Sequence, residues 1–199
     1  MVLVQEQCAS EDNSGLSRRQ FVGVLAALGG LSLIPGQLLA AIPKANYGVA
    51  ARPVRSLAFE NLHTGENTKL VYWERGNYIR GALSEIDHIL RDHRTNEVKR
   101  IDKALLDRLF VLHNTLGSQV PFQVISGYRS PKSNAMMHAH SSGVAKKSMH
   151  MEGKAIDIRL PDVGLLHVRN AALAMNSGGV GYYPDSKFVH IDTGRVRHW

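Results

Sequence analysis

The sequence predicts an α+β domain, in which helices lie between β-hairpins and do not alternate strictly with strands. Segments that alternate apolar and polar residues occur in pairs around short turns, which is typical of hairpins, whereas longer segments repeat apolar residues at helical spacing. No internal repeat interrupts this order. The chain has 199 residues, of which 44% are hydrophobic. That length can bury the core of one domain of about 150 residues and leaves an extension.

The first 40 residues are expected to form an export signal. Residues 17–21 (SRRQF) contain a twin arginine, and the apolar run of residues 22–40 has no Lys, Arg, Asp or Glu. Gly and Pro break this run, which favours a signal peptide over a spanning helix. The alternative is an uncleaved leader that tethers the protein to the membrane. We expect the Tat translocase to export the folded protein to the periplasm.

Charge and cysteine content limit the class of partner. The net charge of +7 favours an anionic partner such as nucleic acid, anionic lipid or an anionic cell wall, and because Lys and Arg are scattered, we expect no nucleic acid. The single cysteine, Cys8, precedes the signal, so the exported part has neither disulfides nor cysteine-ligated zinc. Residues 41–55 contain small residues and prolines without periodicity and are predicted to be a linker. The folded domain is predicted at residues 56–199.

The first half of this domain is predicted to contain a hairpin and two helices. SLAFEN and TKLVYWE are the hairpin strands, and HTGEN between them supplies the turn. Apolar residues cluster on one side of a predicted helix over residues 79–94. A second helix begins after the N-cap Asp102, continues through leucines at helical spacing, and ends at Gly117.

The second half is predicted to add central strands and a final hairpin. Residues 121–126 (PFQVIS) form a short apolar strand, and a helix follows with Ser130 as its cap and Pro131 at its first position. KAIDIRL is a second central strand. Asp162 is predicted to cap a helix over residues 165–175. GGVGYY and KFVHID then pair, which gives a small antiparallel sheet with flanking helices.

Three polar residues interrupt apolar strands or their ends: His150, Asp157 and His190. Catalytic zinc sites take imidazole nitrogen and carboxylate oxygen at about 2.0–2.2 Å and use three protein ligands. A turn at Gly153 would direct His150 and Asp157 to one point, and a neighbouring strand would supply His190. A metal would also compensate the charge of Asp157, whose burial without a partner costs several kcal/mol.

The spacing alone leaves an alternative, because the common helical H-E-x-x-H motif is absent. Asp157 could instead pair with a buried arginine such as Arg129 or Arg159, which would make the last histidine a hydrogen-bonded core residue. A second histidine pair, His138 and His140, lies in a predicted helix. Side chains two residues apart on a helix diverge, so we expect no metal at that pair.

Three motifs together resemble a known enzyme superfamily. S-x-H-x-x-G-x-A-x-D at residues 148–157 resembles the signature of the D-Ala-D-Ala metallopeptidases, which include the LAS murein endopeptidases. SGYRS at residues 126–130 resembles their upstream arginine motif, and FVHIDTGRVRHW at residues 188–199 is similar to their closing strand. With the twin-arginine leader, the chain resembles in particular the exported MepK-type murein endopeptidases. The resemblance covers residues 56–199.

The resemblance implies a hedgehog/D-Ala-D-Ala-peptidase-like fold and a periplasmic peptidase that cleaves peptide cross-links of peptidoglycan, and we expect this peptidase to be a monomer. It implies that His150, Asp157 and His190 bind one zinc ion per chain. Arg129 would bind substrate and steady the scissile carbonyl as it becomes an oxyanion. Ser148 would bind substrate, although a capping role explains it equally well. Endopeptidase activity is favoured over carboxypeptidase activity.

The residue that deprotonates the attacking water is not settled by the motifs. Related enzymes place Glu or His two or three residues before the last histidine, where this chain has Lys187 and Phe188. Asp192 is preferred as the base or as a partner that orients a ligand, and Asp185 is the other nearby acid. This departure leaves a non-catalytic or D,D-carboxypeptidase-type domain that binds wall peptides as the alternative. A sugar-cleaving hydrolase needs paired carboxylates and is not favoured.

Overall fold

The computed structural model describes residues 53–140 and 145–199. The predicted export signal and all but the last three residues of the predicted linker lie outside this part. The elements are β1 Val54–Asn61, β2 Asn67–Glu74, β3 Asn77–Tyr78, α1 Arg80–Ile89, α2 Lys103–Leu116, β4 Phe122–Ser126, α3 Pro131–His140, a 3₁₀ helix Met149–Glu152, β5 Ala155–Arg159, α4 Leu165–Ala174, β6 Gly179–Tyr183, β7 Phe188–Asp192 and β8 Arg197–His198.

The strands of the described residues form one eight-stranded sheet in the order β3-β2-β1-β4-β5-β7-β6-β8. The predicted α+β class is confirmed, and both predicted hairpins are present as β1–β2 and β6–β7. The sheet is larger than predicted and is mixed, because β1 pairs with β4 in parallel and β8 pairs with β6 in parallel. The β1–β4 pairing joins the first hairpin to the central strands.

One hydrophobic core connects the helices to the sheet. Its fully buried members include Phe59, Tyr72, Phe122, Ile156, Ile158, Val189 and Ile191 from the strands and Ile86, Leu105, Leu106, Leu109, Leu112, Val168 and Ala172 from the helices. Along β5 and β7 these apolar residues alternate with polar ones, so one face of the sheet is core and the other is free to carry chemistry. Among the helices in the described ranges, none is both long and apolar enough to cross a membrane.

The helix boundaries agree with prediction for α2 and differ for its neighbours. Asp102 caps α2 by accepting from Ala104 N at 3.0 Å, and Gly117 ends it at φ +62°. Helix α1 stops at Ile89, five residues before the predicted end, because residues 90–97 fold into a tight turn.

The predicted capping role of Asp162 is wrong. Helix α4 begins at Leu165 with Gly164 as its N-cap and has no side-chain cap. The Asp162 carboxylate instead accepts from Ser118 Oγ at 2.9 Å and from Gln119 N at 3.1 Å. It therefore ties the loop after α2 to the loop before α4.

Gly153 joins the 3₁₀ helix to β5 and packs against the chain that precedes α2. Its φ is +68°, and a Cβ at this position would lie 2.3 Å from the carbonyl oxygen of Arg100. Its own carbonyl accepts from Asp102 N at 2.9 Å. Only glycine satisfies both the left-handed backbone and this close approach.

We therefore expect Gly153→Ala to lower the free energy of unfolding by at least about 3 kcal/mol, because a backbone strain of about 1 kcal/mol adds to a clash with another backbone segment. Gly65→Ala is the matched control, since Gly65 has φ +73° but open space around it, and should lose only about 1 kcal/mol. Urea unfolding measures both. Equal losses would show that the close approach to Arg100 does not constrain Gly153.

Candidate metal centre

Two of the predicted ligands meet through the pairing of central strands. In the antiparallel pair of β5 and β7, Asp157 lies directly opposite His190. Their side chains project from the same face, and Asp157 Oδ1 lies 2.8 Å from His190 Nδ1. A single strand pairing thus brings together two residues that lie far apart in the sequence.

The third predicted ligand, His150, is fixed by the 3₁₀ helix. Ser148 caps this helix, with its Oγ accepting from His150 N at 3.3 Å. Nδ1 of His150 donates to the carbonyl oxygen of Gly127 at 2.7 Å. Because Nδ1 carries the proton, the lone pair is on Nε2, which points at the other two residues.

Two of the three separations among the candidate ligand atoms match those of a tetrahedral ion, and the third, 2.8 Å between Asp157 Oδ1 and His190 Nδ1, is shorter and equals a hydrogen-bond length. His150 Nε2 lies 3.2 Å from His190 Nδ1 and 3.3 Å from Asp157 Oδ1, and all three atoms fall within 4.8 Å of one another. A tetrahedral zinc with bonds of about 2.0–2.1 Å separates its ligands by about 3.3 Å. The residues are buried, so a common cation is the natural compensation for the Asp157 charge.

The alternative partners for Asp157 are not in hydrogen-bonding contact with it. Arg129 Nη2 lies 3.8 Å from Asp157 Oδ2, beyond hydrogen-bond length. Arg159 donates from Nε to Gln123 Oε1 at 2.7 Å. Burial raises the pKa of Asp157, but the interactions with the two histidines outweigh burial and hold the pKa well below its usual range.

Asp192 lies behind His190, on the side away from the other two ligands. Its Oδ2 accepts from His190 Nε2 at 3.0 Å and from Arg197 Nη2 at 2.6 Å. Its Oδ1 accepts from the backbone N–H groups of Gly179 at 3.0 Å and Gly194 at 2.8 Å. Arg108 donates to its backbone carbonyl. With both oxygens occupied, Asp192 is placed to orient His190, which is one of the two roles expected for it.

These contacts also shift the pKa values of His190 and Asp192. Burial lowers the pKa of His190, but its hydrogen bonds with Asp157 and Asp192 outweigh that cost, and the net shift is upward. The pKa of Asp192 is shifted down, because the donors from His190 and Arg197 outweigh the effect of burial. The imidazole therefore bridges two carboxylates, one on each ring nitrogen.

The three ligand atoms open into a cleft of about 760 Å³. Among the described residues that line it, Asp157 is the only acid. Asp185, the other candidate base, is exposed in the β6–β7 turn and is not part of the lining. Lys187 occupies the same turn with φ +56°, and Phe188 stacks on Tyr183 with 4.5 Å between ring centroids.

Arg129 lies next to the three candidate metal ligands and is 7% exposed. Its backbone N donates to the His150 carbonyl at 3.2 Å. Its guanidinium has only long contacts, with Asn134 Oδ1 and Ser126 Oγ, both at 3.4 Å, and its Nε has no partner. Burial lowers the pKa of Arg129, but a guanidinium remains charged in proteins. The cleft thus contains a cation with unused donors.

Comparison with known proteins shows the family of this chain. Residues 49–199 match the family described as Peptidoglycan L,D-endopeptidase MepK. The chain belongs to this family. It is 46% identical over 175 residues to the Peptidoglycan L,D-endopeptidase MepK of Escherichia coli strain K12, covering 88% of this chain and 94% of the relative. It is 37% identical over 184 residues to the Probable peptidoglycan L,D-endopeptidase MepK of Haemophilus influenzae, covering 92% and 95%. No solved structure matches the chain.

The structure adds cleft residues that the sequence did not single out. Trp199 lies 5.3 Å from His190 between ring centroids, and its Nε1 donates to Tyr183 Oη at 2.7 Å. His63 and Arg94 also line this cleft. Trp199 belongs to the closing motif at residues 188–199, so the sequence contained a signal that could have placed it at the site. No such signal existed for Arg94, because the sequence pattern assigned it to the end of a predicted helix.

We expect Asp192→Asn to weaken metal affinity by about 10–100-fold, because the amide cannot accept from His190 and Arg197 as the carboxylate does. The matched control is Asp185→Asn, which makes the same chemical change at an exposed position and should leave affinity unaltered. Competition with a chromogenic chelator measures both affinities. Full affinity in Asp192→Asn would rule out an orienting role.

Proposed function

We propose that this protein is a zinc-dependent murein endopeptidase that hydrolyses peptide cross-links of peptidoglycan. The observation that carries the proposal is the convergence of His150 Nε2, Asp157 Oδ1 and His190 Nδ1, which lie 2.8–3.3 Å from one another in an open cleft. Relatives at 46% and 37% identity carry the name peptidoglycan L,D-endopeptidase. That name supports cleavage of an amide between an L-centre and a D-centre.

The donor set fits zinc, since two imidazoles and one carboxylate with room for a fourth ligand are typical of catalytic zinc sites. When bound, zinc lowers the pKa of a water ligand to about 7 and polarises the amide carbonyl, which reduces the need for a strong separate base. His150 would be held for this purpose by the Gly127 carbonyl, and His190 by Asp192. We expect one zinc ion per chain.

The other residues of the cleft would bind and orient the substrate. Arg129 is the group we assign to the carbonyl oxygen, because its donors lack strong partners and a buried cation is most effective where negative charge develops. Ser148 already caps the 3₁₀ helix through an acceptor contact, so its hydroxyl hydrogen can donate to a substrate carbonyl. These roles agree with those that the family resemblance implies.

One observation favours a second candidate function. The only carboxylate in the described cleft lining is that of Asp157, which is itself a proposed metal ligand, so the described lining contains no separate general base. A domain that holds zinc and binds wall peptides without cleaving them would have the same lining, as would a D,D-carboxypeptidase-type domain. Digestion of defined cross-linked muropeptides, followed by mass spectrometry, separates an endopeptidase from both.

Cellular location follows from the leader and the substrate. We propose that the twin-arginine signal of residues 1–40 directs the protein through the Tat translocase to the periplasm, where peptidoglycan is accessible. The net charge of +7 suits an anionic wall. We expect the protein to act as a monomer.

The proposal predicts that purified wild-type protein binds one equivalent of zinc and releases cleaved muropeptides, and that His150→Ala loses both properties. Removal of one of three ligands leaves too few donors for a stable site. His167→Ala is the control, because His167 is exposed on α4. Metal analysis and muropeptide digestion give the two readouts. Retention of stoichiometric zinc in His150→Ala would refute the ligand assignment.

Arg129→Lys tests the carbonyl-binding role separately from the metal. Lysine keeps the charge but lacks the planar fork of donors, so kcat should fall by about 100-fold while zinc content is retained. Arg159→Lys on β5 is the control, since Arg159 also donates from a partly buried strand position but does not line the cleft. An undiminished kcat in Arg129→Lys would remove this arginine from the mechanism.

A further inference from the structure

The charges that line the cleft are strongly unequal. The described lining contains four cations and one acid: Arg94, Arg129, Lys147, Arg197 and Asp157. Arg197 is already paired with Asp192 at 2.6 Å, and Asp157 belongs to the metal ligands. Arg94, Arg129 and Lys147 therefore face a cleft in which the described residues supply no further carboxylate to compensate their charge.

Arg94 is brought to this cleft by a buried carboxylate. Asp92 is 1% exposed, and it accepts from Arg94 N at 2.9 Å through Oδ1 and from Ser130 N at 2.8 Å through Oδ2. The two bonds tie the turn at residues 90–97 to the segment that carries Arg129. A further bond from Tyr128 N to the Leu90 carbonyl, at 2.7 Å, reinforces this contact.

The packing between the two segments leaves no room for adjustment. A Cβ at Gly127 would lie 2.5 Å from the Leu90 carbonyl oxygen, so the two backbones are in direct contact. Arg94 and Arg129 are consequently neighbours. Burial is the main cause that lowers the pKa of Arg129, and the nearby charge of Arg94 lowers it further.

Neither guanidinium is committed to a strong partner. Arg94 is exposed, and its one hydrogen bond in the described residues is made by its backbone N. Arg129 is buried with an unpartnered Nε. Two adjacent cations repel each other, and an anion that bridges them relieves the repulsion. Guanidinium forks match the planar geometry of a carboxylate.

We propose that Arg94, with Arg129 adjoining it, forms a subsite that binds a free carboxylate on the substrate residue next to the scissile amide. This inference rests on the proposed peptidase function and defines its substrate class as an anionic cross-link peptide. Arg129 also lies 3.8 Å from the Asp157 carboxylate, so the subsite adjoins the candidate metal ligands. The subsite fixes the direction in which the peptide enters.

The test uses two non-hydrolysable cross-link peptides, in which a ketomethylene group replaces the scissile amide. They differ only in that the adjoining carboxylate of one is a carboxamide in the other. Calorimetry measures their affinity for the zinc-loaded full chain. Wild type should bind the carboxylate at least about tenfold more tightly, since a hydrogen bond to a charged group is worth that much or more.

In Arg94→Gln the ratio of the two affinities should fall to about one, and Arg94→Lys should retain an intermediate ratio because it keeps the charge. Lys69→Gln, which removes an exposed charge from β2 outside the cleft, should keep the wild-type ratio. The inference is overturned if wild type binds both peptides equally, if Arg94→Gln keeps the preference, or if Lys69→Gln loses as much.

Hydrolysis of the corresponding amide peptide by wild type separates this inference from the proposed function. A carboxylate preference that depends on Arg94, without hydrolysis, would support the subsite and refute the endopeptidase. Hydrolysis without the preference would refute the subsite and leave the endopeptidase standing.

Discussion

The register between β5 and β7 is the constraint on which the candidate site depends. It sets Asp157 opposite His190 on one face, while Ile156, Ile158, Val189 and Ile191 face the core, each fully buried. A slip of one residue would turn the acid into the core and bring an isoleucine into the cleft. Packing of the hydrophobic side of these strands therefore positions the candidate ligands on the other side. The same strand register determines both the stability of the core and the geometry of the site.

Burial of the two carboxylates, Asp157 and Asp192, is tolerated because each has directed partners. Asp192 is fully buried yet accepts from two backbone N–H groups, an imidazole and an arginine. Asp157 has only the two histidines at close range, so a cation shared by these three residues would complete its compensation. Binding of the metal should accordingly stabilise the fold. Arg129 differs from both acids, since it retains unused donors, as a binding residue requires.

Local sequence was sufficient to predict that His150, Asp157 and His190 converge, and it was insufficient to predict which residues surround them. His150, Gly153 and Asp157 lie within eight residues, and the geometry among them follows from one capped turn and one strand, which motif spacing encodes. The approach of Arg94 to the cleft depends on a turn that interrupts an apparently continuous helical pattern, and on the long-range hydrogen bonds of Asp92. The role of Asp162 was mispredicted for the same reason: its hydrogen bond to Ser118 in the loop after α2 spans more than 40 residues and cannot be deduced from local sequence.

The most direct test of the central claim is the anomalous scattering of crystals of the zinc-loaded protein, recorded on both sides of the zinc absorption edge. We expect one strong peak per chain, about 2.0–2.2 Å from His150 Nε2, Asp157 Oδ1 and His190 Nδ1. A peak elsewhere, for example at His138 and His140 on α3, or an empty position among the three residues at full zinc loading, would contradict the account.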